Sequence, residues 1–345
     1  MFKATKKLVN EVIKTIAKLF NPAPNSKYKA RQLAKVLVDL GLRKASAEEC
    51  SKPSPDRALD RLHEVCERSF DRVVWKLNTG LLERVPLPRR VTLALDFKTL
   101  PYYGAEQPAC VGDSRLPGTR LGIRFAMLSI VESGRTFVLL VKQVGPLTPK
   151  VRVLREMLDA IEGLVEPRII LLDKAFFTVE VIKELQSRKL PFLMPAKRTE
   201  PIKKLCCLFK RGKIPPITSY TIKSFGNSAQ VKLIFAKKKA KRGWRTFAYV
   251  SNIAFKPEVA KGLYRRRWRI ETNNREIGKF RARTTSTSMK LRRMYYALAA
   301  LLYNLWIVLR QVLSGLRSRE FKNILHLRLK DASPMPSELG PGPPP

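Results

Sequence analysis

Between residues 91 and 195 the hydrophobic period of this chain changes in an order that few folds accommodate. Strand-like runs occupy 91–97, 122–131 and 135–143, the last two separated by Glu132-Ser-Gly-Arg, a hairpin-turn signal. A helix-periodic segment follows from about Pro149 to Gly163, with Val153, Leu154, Met157, Leu158 and Ile161 on one face. Next come an apolar strand at 168–173, a helix at 177–188 and a short strand, Pro191-Phe-Leu-Met-Pro. Strands joined by a tight turn pair antiparallel, whereas strands joined through a helix run parallel. The pattern β-β-β-α-β-α-β therefore predicts an α/β sheet with a hairpin-linked trio followed by parallel crossovers.

Two of these runs close on an acid. Asp96 ends Val91-Thr-Leu-Ala-Leu-Asp, and Asp173 ends Arg168-Ile-Ile-Leu-Leu-Asp. A third acid, Glu271, lies in the basic helical segment Tyr264-Arg-Arg-Arg-Trp-Arg-Ile-Glu. Sites in open α/β sheets form just beyond the carboxyl ends of the strands. The chain carries 68 Lys and Arg against 28 Asp and Glu, a formal net charge of +40, so its field concentrates polyanions. Three carboxylates converging in such a protein call for hard cations. Oxygen donors without His or Cys favour Mg²⁺ or Mn²⁺ over zinc. Two such ions about 3.5–4 Å apart can activate an attacking oxygen and stabilise a leaving one in phosphoryl displacement. On the ground of that net charge nucleic acid is the leading partner, bound with affinity that falls as salt rises.

The flanking segments read as separate units. Residues 1 to about 88 are helical. Lys6 to Phe20 is amphipathic, Tyr28 to Leu40 follows, a short helix lies around Ser46 to Cys50, and a helix begins at Ser54-Pro55-Asp56 with a capping hydroxyl. That order suits a helix-turn-helix DNA reader, with Arg57 and Arg61 on its outer face. Pro86-Leu-Pro-Arg-Arg is a linker. Residues 196–256 read as a β-rich insertion with strands at Ser219 to Lys223, Gln230 to Ala236 and Thr246 to Ser251, its Lys237–Arg242 run facing nucleic acid. A helix starting near Pro257 carries Glu271, and a long helix from Met289 to about Leu316 completes the core at 257–316. Trp268 and Trp306 read as core residues, and Asp113 and Glu276 as spare acids. After Lys330 the chain is Pro-, Ser- and Gly-rich, and a disordered tail is expected over 331–345.

Other chemistries fit poorly. The five cysteines (Cys50, Cys66, Cys110, Cys206, Cys207) have no paired metal spacing, and the two histidines, His63 and His326, cannot supply a zinc site or a histidine-based triad. The run Tyr295 to Leu309 is too short to span a bilayer, and no secretory signal is expected in Met1 to Phe20. The expectation is a cytoplasmic, nucleoid-associated protein with reduced thiols and no membrane role.

The strand order matches a ribonuclease-H-like fold, and the segment from about 88 to 312 resembles the DDE transposases of bacterial and archaeal insertion sequences. Within them it is similar to the group whose third acid lies in a Tyr-x2-Arg-x3-Glu-x6-Lys signature: Tyr264, Arg267 and Glu271 stand at the matching spacings. The 98-residue separation of Asp173 and Glu271 also suits that group, which carries a β-rich insertion between its second and third acids. The resemblance implies that Asp96, Asp173 and Glu271 are a catalytic, metal-binding triad, and that Tyr264 and Arg267 contact phosphate at the element's end. It implies double-stranded DNA as partner, with Mg²⁺-dependent cleavage and strand transfer at terminal inverted repeats by at least a homodimer on DNA. The signature lysine departs: position 278 is Gly278, and the lysine is Lys279, with Arg275 one turn after Glu271 as a substitute. A structure-specific nuclease of the same fold, and a non-catalytic DNA-binding descendant of a transposase, are the alternatives.

Overall fold

The computed structural model describes residues 2–50, 53–133, 135–224, 226–240, 243–313 and 315–331, without the side chains of residues 2–5, 238, 240, 328, 330 and 331. The chain divides into two compact units, one made of residues 1–85 and 276–345, the other of Pro86–Arg275. The tail expected over 331–345 lies, beyond Asp331, outside the described residues.

In the first unit, α1 (Phe2–Ala17), α2 (Ala30–Arg43), α3 (Pro55–Glu64) and α4 (Glu67–Leu82) surround a shared apolar interior. Leu8, Val9, Val12, Ile13 and Ile16 of α1 are all buried, as their helical spacing requires. The short helix expected around Ser46 is a 3-10 turn at Ala47–Glu49. Ser54 does occupy the position before α3, with Pro55 opening the helix, yet its hydroxyl makes no capping hydrogen bond.

The second unit is built on one mixed sheet. Its elements are β1 (Arg90–Pro101), β2 (Val111–Gly112), β3 (Leu121–Glu132), β4 (Arg135–Val144), α5 (Lys150–Asp159), β5 (Glu166–Leu172), α6 (Val179–Ser187), β6 (Phe192–Pro195), α7 (Glu200–Lys210), β7 (Ile217–Ser224), β8 (Asn227–Ala240), β9 (Gly243–Ser251) and α8 (Pro257–Ile277). The strand order is β2-β3-β1-β5-β6-β9-β8-β7, with β4 also pairing to β3. β1 runs antiparallel to β3 and β3 antiparallel to β4, while β1, β5 and β6 are mutually parallel along the path. β1 and β5 occupy the centre, and Leu93, Ala94, Leu95, Ile170, Leu171 and Leu172 are wholly buried there. Strands covered on both faces read as continuous apolar runs, and these do.

Three features depart from the sequence reading. The segment 196–256 contains a helix, α7, that the strand-like pattern did not reveal, and its strands are continuous with the central sheet through β6 and β9 (Met194↔Val250, Pro195↔Tyr249). Backbone edges left open by a short strand are satisfied by the next available strand, whatever segment it comes from. After the loop that follows α8 comes α9 (Met289–Val312), expected to complete the catalytic core; it belongs to the helical unit and packs with α2, α3 and α4. Its buried residues run nearly all round, from Leu291 to Leu309, as suits a helix enclosed by others. Asn304 on α9 donates to Asn78 of α4 at 2.6 Å inside that interior. The last helix, α10 (Ser318–Asp331), was not expected at all and packs on α2. Among the described residues no helix is long and apolar enough to cross a membrane.

Candidate active site

Asp96 and Asp173 come from adjacent parallel strands. The last pair in the β1–β5 ladder is Leu95↔Leu172, so the two aspartates follow it side by side at the carboxyl edge of the sheet. Asp173 leaves β5 by one residue and opens a 3-10 turn over Lys174–Phe176, while Asp96 is not the end of its strand: β1 continues along β3 to Pro101. The two positions are locked by the residues beyond them. The ring of Phe97 stacks on that of Phe176, with centroids 4.8 Å apart and an interplanar angle of 13°. The Phe97 N–H donates to Asp96 Oδ1 at 2.9 Å and fixes the carboxylate's rotation.

Glu271 reaches the site from α8. The buried positions of this helix are Ala260, Tyr264, Arg267, Ile270, Asn273 and Ile277, one face at helical spacing. An arginine is tolerated on that face because it is neutralised from two sides. Arg267 Nη1 donates to Asp96 Oδ2 at 3.2 Å, and its Nη2 donates to Glu271 Oε1 at 3.0 Å. Its guanidinium also lies 5.4 Å from the ring centroid of Tyr264, in cation–π range. Burial disfavours the charge of Arg267, but Tyr264, Asp96, Asp173 and Glu271 together outweigh it and raise the pKa. For Asp96 burial dominates and raises the carboxyl above the ordinary aspartate range, with Arg267 opposing and Asp173 and Glu271 adding to the rise. The three acids thus share one electrostatic neighbourhood, although Asp173 accepts no hydrogen bond from Arg267.

The donor chemistry suits a hard divalent cation: oxygen ligands alone, two of them already sharing a single cationic group. The geometry is looser than a preformed metal cage. Among the described residues no group of three or more His, Cys, Asp or Glu side chains is gathered closely enough to hold an ion.

The other signature residues are distributed differently. Tyr264 is buried, packed 5.2 Å from the ring of Tyr249, and burial raises its hydroxyl pKa well above the ordinary tyrosine value. Arg275 is exposed near the end of α8. Lys279 follows the end of α8 at Ile277, so the helical projection does not extend to it; it belongs to the helical unit and pairs with Glu276 at 2.6 Å. Arg57 is exposed on α3, and Arg61 is bound to Glu64 at 2.8 Å. Asp113 is bound by Arg115, which holds its carboxyl down at about 2. Trp306 is buried as expected, but Trp268 is 60% exposed, on the side of α8 away from Arg267's buried stripe. The cysteines are free, with Cys110 and Cys206 buried.

Several cations near Asp173 carried no sequence signal. Lys150 at the start of α5 donates to the carbonyl of Ala175, just past Asp173, at 2.8 Å. Its pKa is lowered by burial first, then by the charges of Lys197 and Arg124, with Asp173 acting in opposition. Nothing local distinguishes these residues from the dozens of other basic side chains in the chain.

Comparison with known proteins bears on the family and the fold. Residues 90–305 match the family model described as the transposase DDE domain. Among solved structures, the fold is similar to that in the cryo-EM structure of a piggyBac transposase synaptic complex with hairpin DNA, with a TM-score of 0.61 over 98% of this chain and 86% of that one. At 14% identity that likeness is one of fold alone. No match is found among curated proteins.

Proposed function

The chain belongs to the transposase DDE-domain family, and we propose that it cuts the ends of a mobile DNA element and joins them to a new site. Enzymes of this family act on DNA and in general use divalent metal ions. The finer reading is a ribonuclease-H-like catalytic core whose Asp96, Asp173 and Glu271 hold Mg²⁺ or Mn²⁺. The strand order β4-β3-β1-β5-β6, antiparallel in its first three strands and parallel in its last three, supports that core.

The observation that carries the proposal is the placement of Asp96 beside each of the other two acids. Two stand side by side past Leu95↔Leu172, and Arg267 ties the first to Glu271. A divalent ion pair, when bound, would lower the cost of charge on the attacking and leaving oxygens of a phosphodiester. The chain's own residues do the rest. Arg267 holds Asp96 and Glu271 to one guanidinium and so keeps the two carboxylates together. Lys150 and its neighbours Lys197 and Arg124 draw the DNA backbone toward Asp173. Exposed Arg57 on α3, with Arg61, would read or grip the terminal repeat, and Arg275 would hold the backbone beside Glu271. The neighbouring structure is described as a synaptic complex; by analogy this chain would act as at least a dimer on paired DNA ends.

The test incubates the full chain with duplex DNA carrying the ends of its element, with and without Mg²⁺, beside Asp96→Asn, Asp173→Asn and Glu271→Gln. Mg²⁺-dependent nicks and joined products are expected from the wild type only. Nicks without joined product would indicate a structure-specific nuclease instead. Equal DNA binding by all four proteins, with no cleavage by any, would reduce the chain to a DNA-binding protein.

A further inference from the structure

Each element that carries a candidate catalytic acid is tied, at a point upstream of that acid, to one buried carboxylate that belongs to none of them. Glu132 is the last residue of β3, 8% exposed, where the sequence pattern suggested the first residue of a turn. Its Oε1 accepts the backbone N–H of Thr92 on β1 at 2.6 Å, four residues before Asp96. Arg168 on β5, five residues before Asp173, donates from Nη2 to both carboxylate oxygens at 3.2 and 3.4 Å, and to Thr92 Oγ1 at 2.8 Å. Arg266 on α8, five residues before Glu271, donates to Glu132 Oε2 at 3.2 Å. Arg269 on the same helix donates to the main-chain carbonyl of Glu132.

The backbone is irregular at this same point. The β1–β5 register shifts between Val91↔Pro167 and Thr92↔Ile169, which makes Arg168 the extra residue of a bulge. A bulge re-aims the side chain it carries and alters the strand's twist locally. Here it points Arg168 at Glu132. From this anchor two strands run without interruption to their aspartates, about 3.3 Å per residue, and α8 rises about 1.5 Å per residue toward Glu271. A carboxylate offers about four acceptor positions, enough to serve one amide and two guanidinium groups together.

We propose that Glu132 is a positioning residue: it sets the relative register of β1, β5 and α8, and so aims Asp96, Asp173 and Glu271 at a shared divalent cation. The inference rests on the metal-dependent reading of the site. Glutamine at this position would keep the shape and could still accept from Thr92, but it would lose the charge that holds two arginines.

The test uses the full chain carrying Glu132→Gln, and separately Arg266→Gln, which cuts only one tie to α8. Mn²⁺ binding is measured by calorimetry, alongside circular dichroism and affinity for duplex DNA. Supporting groups around metal ligands change metal affinity by about 10–100-fold. Glu132→Gln should therefore weaken Mn²⁺ binding by about 10-fold or more while secondary structure and DNA affinity stay as in the wild type. In cleavage assays kcat should fall with KM for DNA unchanged, and added Mn²⁺ should recover part of it. Arg266→Gln should show a smaller loss of the same kind, and it decides the matter if Glu132→Gln fails to fold. A folded variant with wild-type Mn²⁺ affinity overturns the proposal. A wild type that takes up Mn²⁺ but cuts no DNA defeats the transposase reading alone, since the Mn²⁺ comparison still judges Glu132. A wild type that binds no Mn²⁺ overturns both.

Discussion

Arg267 meets Asp96 across 171 residues of chain, with Nη1 3.2 Å from Oδ2, in a setting where both side chains are largely shielded from water. The same guanidinium holds Glu271, so one cation serves two acids that would otherwise repel. Removing one partner of a shielded pair leaves an uncompensated charge, which costs more than the pair itself contributes. Arg267→Met should lower folding stability by about 3 kcal/mol. Because a divalent ion could replace the lost charge, Mg²⁺ should raise the melting temperature of this variant more than that of the wild type. Equal Mg²⁺ responses of the two proteins would show that the acids do not share the ion.

Gly41 lies within α2, where alanine would ordinarily favour the helix by about 1 kcal/mol. A Cβ built there would come within 2.7 Å of Leu302 Cδ1 and 3.0 Å of the Phe280 carbonyl oxygen. Leucine can turn aside, but backbone cannot. Overpacking of this kind costs about 1–3 kcal/mol, so Gly41→Ala should destabilise against its own propensity. Chemical denaturation of the two proteins decides the sign.

Glu184 on α6 is bound by Arg155 at 2.6 Å and by Arg188 at 2.8 Å. The hydrogen bond from Arg155 is the largest influence and holds its carboxyl below the ordinary glutamate range, burial opposes it, and Arg188 adds to the lowering. A depressed carboxylate stabilises the fold above its unfolded pKa, and that contribution is lost as pH falls through the folded value. Glu184→Gln should thus be less stable than wild type at neutral pH, by about 1 kcal/mol because Arg155 is mostly solvated. Melting curves should begin to converge as the pH drops below about 4, where the unfolded carboxyl protonates first, and should meet only below the folded value. A deficit that persisted in acid would mean that packing, not charge, held the site.

With a formal net charge of +40, binding to DNA should be strongly salt-dependent. Neutralising six to ten phosphates implies a loss of about 10³–10⁵ in affinity between about 50 and 200 mM salt. Titration across that range gives the slope, and substituting Lys150 and Lys197 together should make it shallower. A slope unchanged by that double substitution would remove both residues from the DNA path.

Much of the architecture was legible in the sequence because it is local. Period 2 and period 3.6 mark strands and helices without knowledge of what they touch, and seven elements between 90 and 195 follow them closely. The neighbouring placement of the two aspartates was legible because each closes an apolar run. Glu271 was singled out because its helix carries Tyr264 and Arg267 at recognisable spacings, and Arg267 does bond to it. Trp268 shows where such reasoning fails: a large aromatic usually packs inward, and only the orientation of α8 leaves it exposed.

Sequence alone determined most of the strands and helices between residues 90 and 195, though not α7 or α10 later in the chain, and singled out three acids for their positions in those elements. Tertiary structure decided what those acids meet. The link from Arg267 to Asp96, the convergence of Thr92, Arg168 and Arg266 on Glu132, and the enclosure of α9 by helices from the start of the chain all join residues far apart in sequence. No periodic pattern encodes such partners. They are selected when the sheet twists, the bulge at Arg168 re-aims a side chain, and buried charges find neutralising groups within reach.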